Sequence, residues 1–586
     1  MAAEQSIIEK IIHGMNNFVW GWPDVLPLIV LLLVGTGLVT TFRLGWVQIR
    51  RFGHGLQVVR GKYDDPEHKG DLSHFQALTT ALSATVGIGN IAGVATAIHY
   101  GGPGALFWMW VTAVFGMALK YTECTLSMRY RTINPDGSAA GGPMYSIERG
   151  LGKNWKPLAI AFACFTVISS FGSGNSVQSF TVADQLRQDL SIPTWISGLL
   201  MSSLVAVVIL GGVRRIGRVT SKLVPIMALL YVTGGLVVLG LNYDQVIPAL
   251  QTIVSSAFKP AAQLGGFAGG GFIFMLTWGI KRGLFSNESG QGSAPIAHAA
   301  AKTDEPVREG MVAMLGPFID TLVICTMTGL VILTTGVWHD KQEQRLLCNR
   351  QAAIQAIVPG AQVQADGKLR DEDLVKGRMP IEAGRTKDLQ FVYNHGTIDD
   401  VRVLLALDPL LPTRAELFSG FIEIEHGDLG GAAILDAQGA TIKGVLIIEG
   451  RAMQNGSPLT AWAFHKGLGR AAGGYGHLLV TIAVFLFGFS TAISWSYYGD
   501  RAVFYLLGQR WILPYRIAFC GVHFLGAVYS LELVWAFGDT ALGLMTIPNL
   551  LSILLLTGVV KRMTKDYVDQ GKLRPPASKA PPGSIT

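Results

Sequence analysis

Charged residues are scarce in this sequence. Only 15% of its 586 residues are Asp, Glu, Lys or Arg, whereas 50% are hydrophobic and the mean hydropathy is +0.39. A soluble domain carries about 25% charged residues. The composition therefore excludes an ordinary soluble protein and indicates a membrane protein.

Cysteine is also rare, and its positions are scattered. Cys348 lies outside the apolar stretches, and the other four lie inside them: Cys124, Cys164, Cys325 and Cys520. This pattern predicts neither a disulfide framework nor a metal site. The apolar stretches contain no nucleophile–base pair, paired carboxylates or metal cluster, so we expect no enzyme and no cofactor. The start, MAAEQSIIEK, lacks the basic beginning of a signal peptide, so we expect the first span to remain in the mature protein.

Long apolar runs dominate the chain. A helix that crosses a bilayer needs about 20 mostly apolar residues. The sequence predicts eleven such helices, and hence an all-α polytopic membrane protein: 24–42, 75–99, 104–126, 157–182, 193–212, 219–241, 266–284, 309–337, 475–498, 512–530 and 533–559.

Basic residues follow every second predicted span. Examples are Arg50 and Arg51 after the first span and Lys281 and Arg282 after the seventh. Because Lys and Arg collect in cytoplasmic loops, we expect an inner-membrane protein with its N-terminus outside and its C-terminus in the cytoplasm. The net charge of +7 reflects this bias and points to a lipid environment, not to a nucleic-acid partner.

One segment, residues 339–457, is much longer than an ordinary connection. It contains 17 acidic and 13 basic residues and lies on the predicted outer side. FIEIEH (421–426) and VLIIE (445–449) resemble strands, so the sequence predicts a small external α+β domain. A structural cover or a docking site for an external protein partner is favoured over catalysis. The predicted divisions are 1–74, 75–241, 242–338, 339–457, 458–560 and 561–586.

The stretch SATVGIGNIAGVA, residues 83–95, places poor helix formers in the middle of an uncharged span. Its G-x-G-x-x-A pattern would suit a dinucleotide site only within a strand–helix unit, which a membrane span excludes. Close helix packing explains Gly93 but explains Gly87, Gly89 and Asn90 less well. Irregular backbone at membrane depth is tolerated where it is buried or lines a cavity. We therefore predict a broken helix.

A second interrupted span begins at Gly265 and becomes polar at Ser286, Asn287 and Glu288. Without the first span, the two broken helices are the first and sixth of ten. An odd number of spans in each half makes the halves inverted in the membrane, an arrangement found in secondary transporters.

Several motifs carry a family resemblance: ALSATVGIGNIAGVATAI, GGPGALFWMW, DGSAAGGPMYSIERGLG, GLFSNESGQGSAP and FSTAISWSYYGD. They resemble the alanine or glycine:cation symporters over nearly the whole chain except residues 339–457. The resemblance implies the LeuT-like inverted-repeat fold with one extra N-terminal helix. It also implies sodium-driven uptake of alanine or glycine, with protons in some members. The long external segment departs from the family pattern.

An amino-acid zwitterion needs donors for its carboxylate and acceptors for its ammonium. Amides at the first break suit the carboxylate, carbonyls of the second interrupted span suit the ammonium, and Gln178 can reach either group. Thr491 and Trp495 share a helical face; by resemblance they line the pocket, and Trp495 limits side-chain size unless it is a packing residue. The predicted substrate residues are Gly87, Ile88, Gly89, Gln178, Phe274, Thr277, Gly279, Thr491 and Trp495.

Sodium prefers oxygen ligands. The LeuT-like resemblance implies a site between carbonyls near Ser83 and Val86 and the hydroxyls of Ser490 and Thr491. Those hydroxyls could instead bond their own helix. Asn90 could hold a second sodium or cap the break.

Ionisable groups inside spans are functional candidates. Asp320 and Asp539 could each bind a cation, relay a proton or join helices. Lys120 and Glu123, one turn apart, are predicted to form a local ion pair or an inner-gate contact.

The predicted function is sodium-coupled import of a small neutral amino acid by alternating access. The alternatives are a proton-coupled amino-acid symporter and an amino-acid sensor that signals through the external domain. A channel is disfavoured because the spans have one isolated polar zone and no continuous polar path.

Overall fold

The structure is a computed structural model, and it describes most of the chain. The described residues are 7–23, 26–65, 68–133, 139–259, 271–348, 354–358, 369, 372–386, 389–393, 396–407, 415–425, 427–529 and 531–573.

Seven helices in this described part are long and apolar enough to cross a membrane, and a bent pair raises the number to eight. Two shorter apolar helices lie where the sequence predicts the first and fifth spans, Leu28–Arg43 and Thr194–Ile209. The predicted multi-pass helical protein is therefore confirmed. The total of eleven spans stays a prediction, because residues 260–270, which include the start of the seventh predicted span, lie outside the described residues.

The helices are numbered in chain order. The first half contains α1 (Ile7–Gly21), α2 (Leu28–Arg43), α3 (Val47–Arg50), α4 (Phe52–Val59), α5 (His74–Thr85), α6 (Val94–Gly101), α7 (Gly104–Tyr130), α8 (Pro143–Ser146), α9 (Lys156–Phe171), α10 (Val177–Leu190), α11 (Thr194–Ile209), α12 (Gly212–Leu241) and α13 (Val246–Ser256). The second half contains α14 (Phe272–Asn287), α15 (Ala294–His298), α16 (Pro306–Ala313), α17 (Leu315–Pro317), α18 (Thr326–Thr334), α19 (Gly456–Leu468), α20 (Gly476–Leu507), α21 (Ile512–Val528) and α22 (Leu531–Asp569).

The first predicted break is confirmed. The α5 segment and the following helical segment Gly89–Gly101 meet at an angle of 52°. Val86 leaves the helical region at ψ 83°, and the chain resumes as a π-helical turn, Gly89–Gly93, that leads into α6. The start of α5 is fixed by a capping box between Ser73 and Gln76.

The second break lies later in the sequence than the glycines of its span suggest. Helix α14 continues through Gly279 and Gly283 and ends at Asn287, and Glu288 takes the left-handed conformation. A short irregular segment then leads to α15. A Cβ at Gly279 would lie 2.6 Å from the Ala105 carbonyl oxygen. This glycine therefore permits close packing of α14 on α7, and the helix is interrupted only after it, where the predicted span becomes polar.

Three π-helical stretches surround the centre of the molecule: Gly89–Gly93, Gly172–Ser176 and Phe318–Cys325. Such stretches frequently occur at functional sites, because they re-aim side chains and leave backbone groups outside the regular pattern. All three carry small or polar residues in an otherwise apolar core, which indicates where the site lies.

The segment 339–457, which the sequence predicts to be external, is a β structure in its described residues. It contains a six-stranded and a four-stranded antiparallel sheet, with buried side chains of both sheets in one core. No helix occurs in its described residues between 341 and 453, so the predicted α+β character is not found there. Alternating apolar residues favour the strands. These are β3 (Lys341–Cys348), β4 (Ile354–Ile357), β5 (Gly377–Ile381), β6 (Gln390–Tyr393), β7 (Gly396–Thr397), β8 (Asp399–Ala406), β9 (Glu416–Leu417), β10 (Gly420–Glu425), β11 (Asp428–Leu435) and β12 (Val445–Met453); β1 (Thr132–Ile133) and β2 (Ala139–Ala140) pair elsewhere.

The first and last strands of this segment, β3 and β12, pair along their length. Lys341 is opposite Met453 at one end of the ladder, and Cys348 is opposite Leu446 at the other. The chain therefore enters and leaves this segment at adjacent positions, Lys341 and Met453. Only Gln454 and Asn455 separate β12 from α19, and the Asn455 side chain caps that helix. This β domain, which the sequence predicts to be external, is thus attached directly to α19.

Cys348 makes the packing of this domain measurable. Burial raises the pKa of the Cys348 thiol to about 12, so almost none of it is thiolate near pH 8. We expect alkylation of Cys348, followed by mass spectrometry, to be at least about 100-fold slower in the folded protein than in urea. An introduced thiol at exposed Gln438, Gln438→Cys, should react at the normal rate in both states. Equal rates at the two positions in the folded protein would show that Cys348 is not buried.

Candidate functional site

A small cavity lies between the two breaks. Its walls include six of the residues that the sequence predicts for the substrate, namely Gly87, Ile88, Gly89, Gln178, Thr491 and Trp495. The other lining residues are Ala84, Thr85, Ser173, Phe285, Glu288 and Leu542. The structure therefore brings α5, α10, α20 and both breaks to one point in the core.

Three predicted substrate residues do not line this cavity. Phe274, Thr277 and Gly279 lie within the continuous helix α14, before the actual break. They precede Glu288 by about three helical turns on average. Two residues at the actual break, Phe285 and Glu288, line the cavity but were not among the predicted substrate residues. Glu288 belongs to the polar run SNESGQGS, and Phe285 immediately precedes that run. This polar run was the signal that could have identified them.

The first break is tightly packed on α20. A Cβ at Gly87 would lie 2.4 Å from the Thr491 hydroxyl oxygen, so only glycine fits there. The Gly87 amide donates to the Asn90 side-chain oxygen at 2.8 Å. Asn90 therefore caps the break, as one of its two predicted roles requires. The Gly87 amide is already used in this arrangement, and an anion would have to compete with Asn90 for it.

Oxygen atoms of α5 and α20 meet beside the cavity. The hydroxyls of Ser490 and Thr491 both donate to the Ser83 carbonyl oxygen at 3.2 Å, and the Ser83 hydroxyl donates to the Ser490 carbonyl oxygen at 2.8 Å. Val86 lies at the adjacent end of α5. The predicted set thus converges, except that no contact joins Val86 to the hydroxyls among the described interactions. Rotated hydroxyls and these carbonyls are the ligands that a hard cation prefers.

A second cluster of hydrogen-bonded polar side chains surrounds Asp320, on the other side of Asn90. The Asn90 side-chain amide donates to an Asp320 carboxylate oxygen at 2.6 Å, and the Ser286 and Thr321 hydroxyls donate to the other oxygen at 2.6 and 2.7 Å. Asp320 is fully buried. The carboxylate therefore links the first break, the end of α14 and the π-helical stretch Phe318–Cys325.

Asp539 has a different surrounding. Its carboxylate contacts the Lys281 ammonium at 2.6 Å and an Arg282 guanidinium nitrogen at 2.8 Å. Both basic residues lie in α14 and are buried, so their placement in a cytoplasmic loop is wrong. Trp20 also donates to the Asp539 carbonyl oxygen at 3.0 Å. Asp539 joins helices through ion pairs and does not line the cavity.

Lys120 and Glu123 form the predicted local ion pair, with 3.9 Å between the ammonium nitrogen and a carboxylate oxygen. The Asn549 side chain donates to the other Glu123 oxygen at 2.7 Å and to the Gly290 carbonyl oxygen at 2.9 Å. This pair therefore holds the segment after the second break against α7 and α22.

The half-helices α5 and α15 are held together at their ends away from the breaks. His74 at the start of α5 and His298 at the end of α15 each bond one oxygen of the Glu309 carboxylate. The adjacent residues Leu72 and Ala301 form a backbone bridge. We call His74, His298 and Glu309 the carboxylate clamp. All three are buried, so this side of the cavity is closed.

Comparisons with known proteins show the family to which the chain belongs. The sodium:alanine symporter family matches residues 5–364 and 438–579. The chain is 39% identical to the sodium/alanine symporter AgcS of Methanococcus maripaludis over 560 residues, 95% of this chain and 97% of that protein. It is 30% identical to the putative sodium/proton-dependent alanine carrier protein YrbD of Bacillus subtilis, over 96% and 93% of the two chains. Among solved structures, MhsT in complex with L-phenylalanine matches with 11% identity and a TM-score of 0.46, over 83% of this chain and 89% of that one.

Broken membrane helices around a closed polar cavity define a secondary transporter. The chain belongs to the sodium:alanine symporter family. This membership confirms the predicted class, a cation-coupled symporter for alanine. The two matched parts flank residues 365–437, which belong to the external segment and lie outside the family match.

Proposed function

We propose that this protein imports alanine or glycine together with sodium by alternating access in the inner membrane. The observation that carries the proposal is the meeting of Ser83, Ser490 and Thr491 beside a cavity lined by both helix breaks. Sodium at these oxygens would hold α5 against α20 and so order the first break. Linkage then requires sodium and substrate to tighten each other's binding by the same factor.

The proposal includes the LeuT-like repeat arrangement with eleven spans, the N-terminus outside and the C-terminus in the cytoplasm. The amino acid would occupy the cavity between the breaks. Its carboxylate would face the Ile88 and Gly89 backbone, and its ammonium would face the backbone carbonyls at the end of α14. Gln178 supports either end, because its side-chain nitrogen donates to the Ser173 carbonyl oxygen at 2.9 Å and its oxygen has no partner among the described residues.

A second cation, sodium or a proton, is proposed at Asp320. Buried carboxylates of this kind need a counter-charge or a proton, and the described hydrogen bonds supply neither. YrbD is named a sodium/proton-dependent carrier, which supports testing both ions. Asp320 would then connect the cation to the first break through Asn90.

The sodium site is tested by the double variant Ser490→Ala and Thr491→Val. Removing two oxygen ligands should raise the sodium concentration for half-maximal alanine uptake at least about tenfold, which corresponds to about 1.4 kcal/mol. Labelled alanine uptake into proteoliposomes would be measured with a sodium gradient, a proton gradient or neither.

The matched control is Thr166→Val with Ser552→Ala, whose hydroxyls bond only their own helices in the described structure. Its sodium dependence should match that of the unchanged protein. Unchanged sodium dependence in the site variant would contradict the assigned oxygens. Alanine binding without uptake in any gradient would contradict transport and support a sensor.

A further inference from the structure

The wall residue Trp495 is fixed by its neighbours. Its indole N–H donates to a Glu288 carboxylate oxygen at 2.9 Å, and its ring lies 5.4 Å from that of Tyr498 in an edge-to-face arrangement. Trp495 is only 2% exposed. A side chain held on several sides keeps one orientation, so the groups that hold it also define the cavity that it borders.

The backbone of Gly174 supports one side of the indole. A Cβ added at position 174 would lie 2.3 Å from the Trp495 Cγ and 2.5 Å from its Cβ and Cδ2. These distances are far below any allowed carbon–carbon contact, which is about 3.5–4.0 Å. Gly174 lies in the π-helical stretch Gly172–Ser176 with an ordinary backbone conformation. The glycine is therefore required for space and not for backbone flexibility.

Glu288 supports the indole from the second break. Its backbone lies in the left-handed region at φ 54°, and its two carboxylate oxygens accept from Trp495 and from the Ser293 hydroxyl. The carboxylate thus connects the indole to the irregular segment that separates α14 from α15.

We propose that Gly174 and Glu288 are positioning residues that set the side-chain size limit of the transported amino acid through Trp495. The inference rests on the proposed function, since it assumes that the substrate occupies this cavity. Gly174 sets how far the indole withdraws from the cavity, and Glu288 sets its rotation. Together they leave room for a hydrogen or a methyl group.

The first test is Gly174→Ala. The added methyl group should push the Trp495 indole away from position 174 and into the neighbouring cavity, which reduces the space for the substrate side chain. Alanine uptake should fall much more than glycine uptake, with the glycine-to-alanine ratio of kcat/KM rising at least about tenfold. Gly198→Ala is the matched control. Its added Cβ would also be crowded, 2.8 Å from the Ala527 Cβ at the packed contact of α11 with α21, so it should lower stability without changing the ratio.

The second test separates positioning from direct substrate contact by a double-mutant cycle. Glu288→Gln should relax the size limit, measured as added uptake of serine and valine relative to alanine. In a Trp495→Phe background, which has no indole N–H, Glu288→Gln should cause no further change in these ratios. An additional change in that background would show that Glu288 acts on the substrate itself and would overturn the positioning role.

The outcomes of the two tests are distinguishable from failure of the proposed function. If the unchanged protein transports neither glycine nor alanine under any gradient, the proposed function fails. If it transports both, and neither Gly174→Ala nor Glu288→Gln changes the substrate ratios in folded protein, the positioning role is wrong. Should Gly174→Ala not fold, the Glu288 cycle decides alone.

Discussion

Replacing Asp320 by asparagine is expected to abolish cation-driven alanine uptake. The carboxylate accepts from Asn90, Ser286 and Thr321 at the centre of the molecule. An amide of the same size presents an NH2 group to donors, so at least one buried donor loses its acceptor. Such a loss costs about 1–3 kcal/mol. The negative charge that would attract a cation disappears as well. We expect at least about a 100-fold loss of uptake at saturating sodium.

Asp539→Asn is the matched comparison, because it also changes a buried carboxylate to an amide. Here Lys281 and Arg282 lose their counter-charge, and breaking a buried pair costs about 3–5 kcal/mol. The expected result is a lower yield of folded protein, measured by size-exclusion chromatography, with normal sodium dependence in the fraction that folds. Wild-type sodium dependence in folded Asp320→Asn would exclude Asp320 from coupling. If only Asp539→Asn changed the sodium dependence, Asp539 would be the coupling residue and Asp320 the structural one.

The sequence predicted the first break because its signals agree. Gly87, Gly89 and Asn90 fall within four residues of an uncharged span, and water is absent at that depth. The partners of this break, Ser490 and Thr491, were expected from the family resemblance and not from the local sequence. Ser490 and Thr491 do contact the Ser83 carbonyl oxygen. Local sequence signals therefore located the break, and the resemblance located its neighbours.

The second break could not be placed in the same way, because glycine has two uses in membrane helices. Gly279 lets α14 approach the Ala105 backbone of α7, and a packing glycine looks the same in sequence as a breaking one. The polar residues further on were the better signal. Glu288 adopts a left-handed conformation without being glycine, which no local rule predicts. Tertiary contacts with Trp495 and Ser293 stabilise it there.

Lys281 and Arg282 show a second limit. A basic pair after an apolar run is typical of a cytoplasmic loop, yet both side chains pair with Asp539 from a distant helix. A contact across more than 250 residues leaves no trace in local composition. The same holds for Asn90 and Asp320, which are 230 residues apart in the chain and are joined by a side-chain hydrogen bond. Long-range polar pairs are thus the part of the site that one sequence does not determine.

Glu309 gives the second large expected effect, on access to the cavity. Its carboxylate joins His74 and His298, which lie at the far ends of the two half-helices α5 and α15. Separation of these ends would open the cavity toward the side on which the clamp lies. Glu309→Leu removes both hydrogen bonds at once and leaves two buried imidazoles without this partner. Because each buried group that loses its partner costs about 1–3 kcal/mol, the closed arrangement should lose about 2–6 kcal/mol relative to an open one.

A thiol in the cavity wall reports this change. Ala84 lines the cavity next to the break, so Ala84→Cys in a cysteine-free background would be labelled by a membrane-impermeant reagent from either side of oriented vesicles. We expect Glu309→Leu to raise the labelling rate at least about tenfold from the clamp side and to lower it from the opposite side. His74→Ala and His298→Ala, each removing one contact, should give intermediate rates.

The control is Glu305→Gln. Glu305 lies four residues before Glu309 in the sequence, and its partly exposed carboxylate pairs with Lys572. It removes a charge from the same region of the chain without touching either histidine, and it should leave both labelling rates unchanged. Equal acceleration by Glu305→Gln and Glu309→Leu would mean that general loosening of this region, and not the clamp, controls access. Reciprocal changes on the two sides with Glu309→Leu alone would identify the clamp as the contact that alternating access must break.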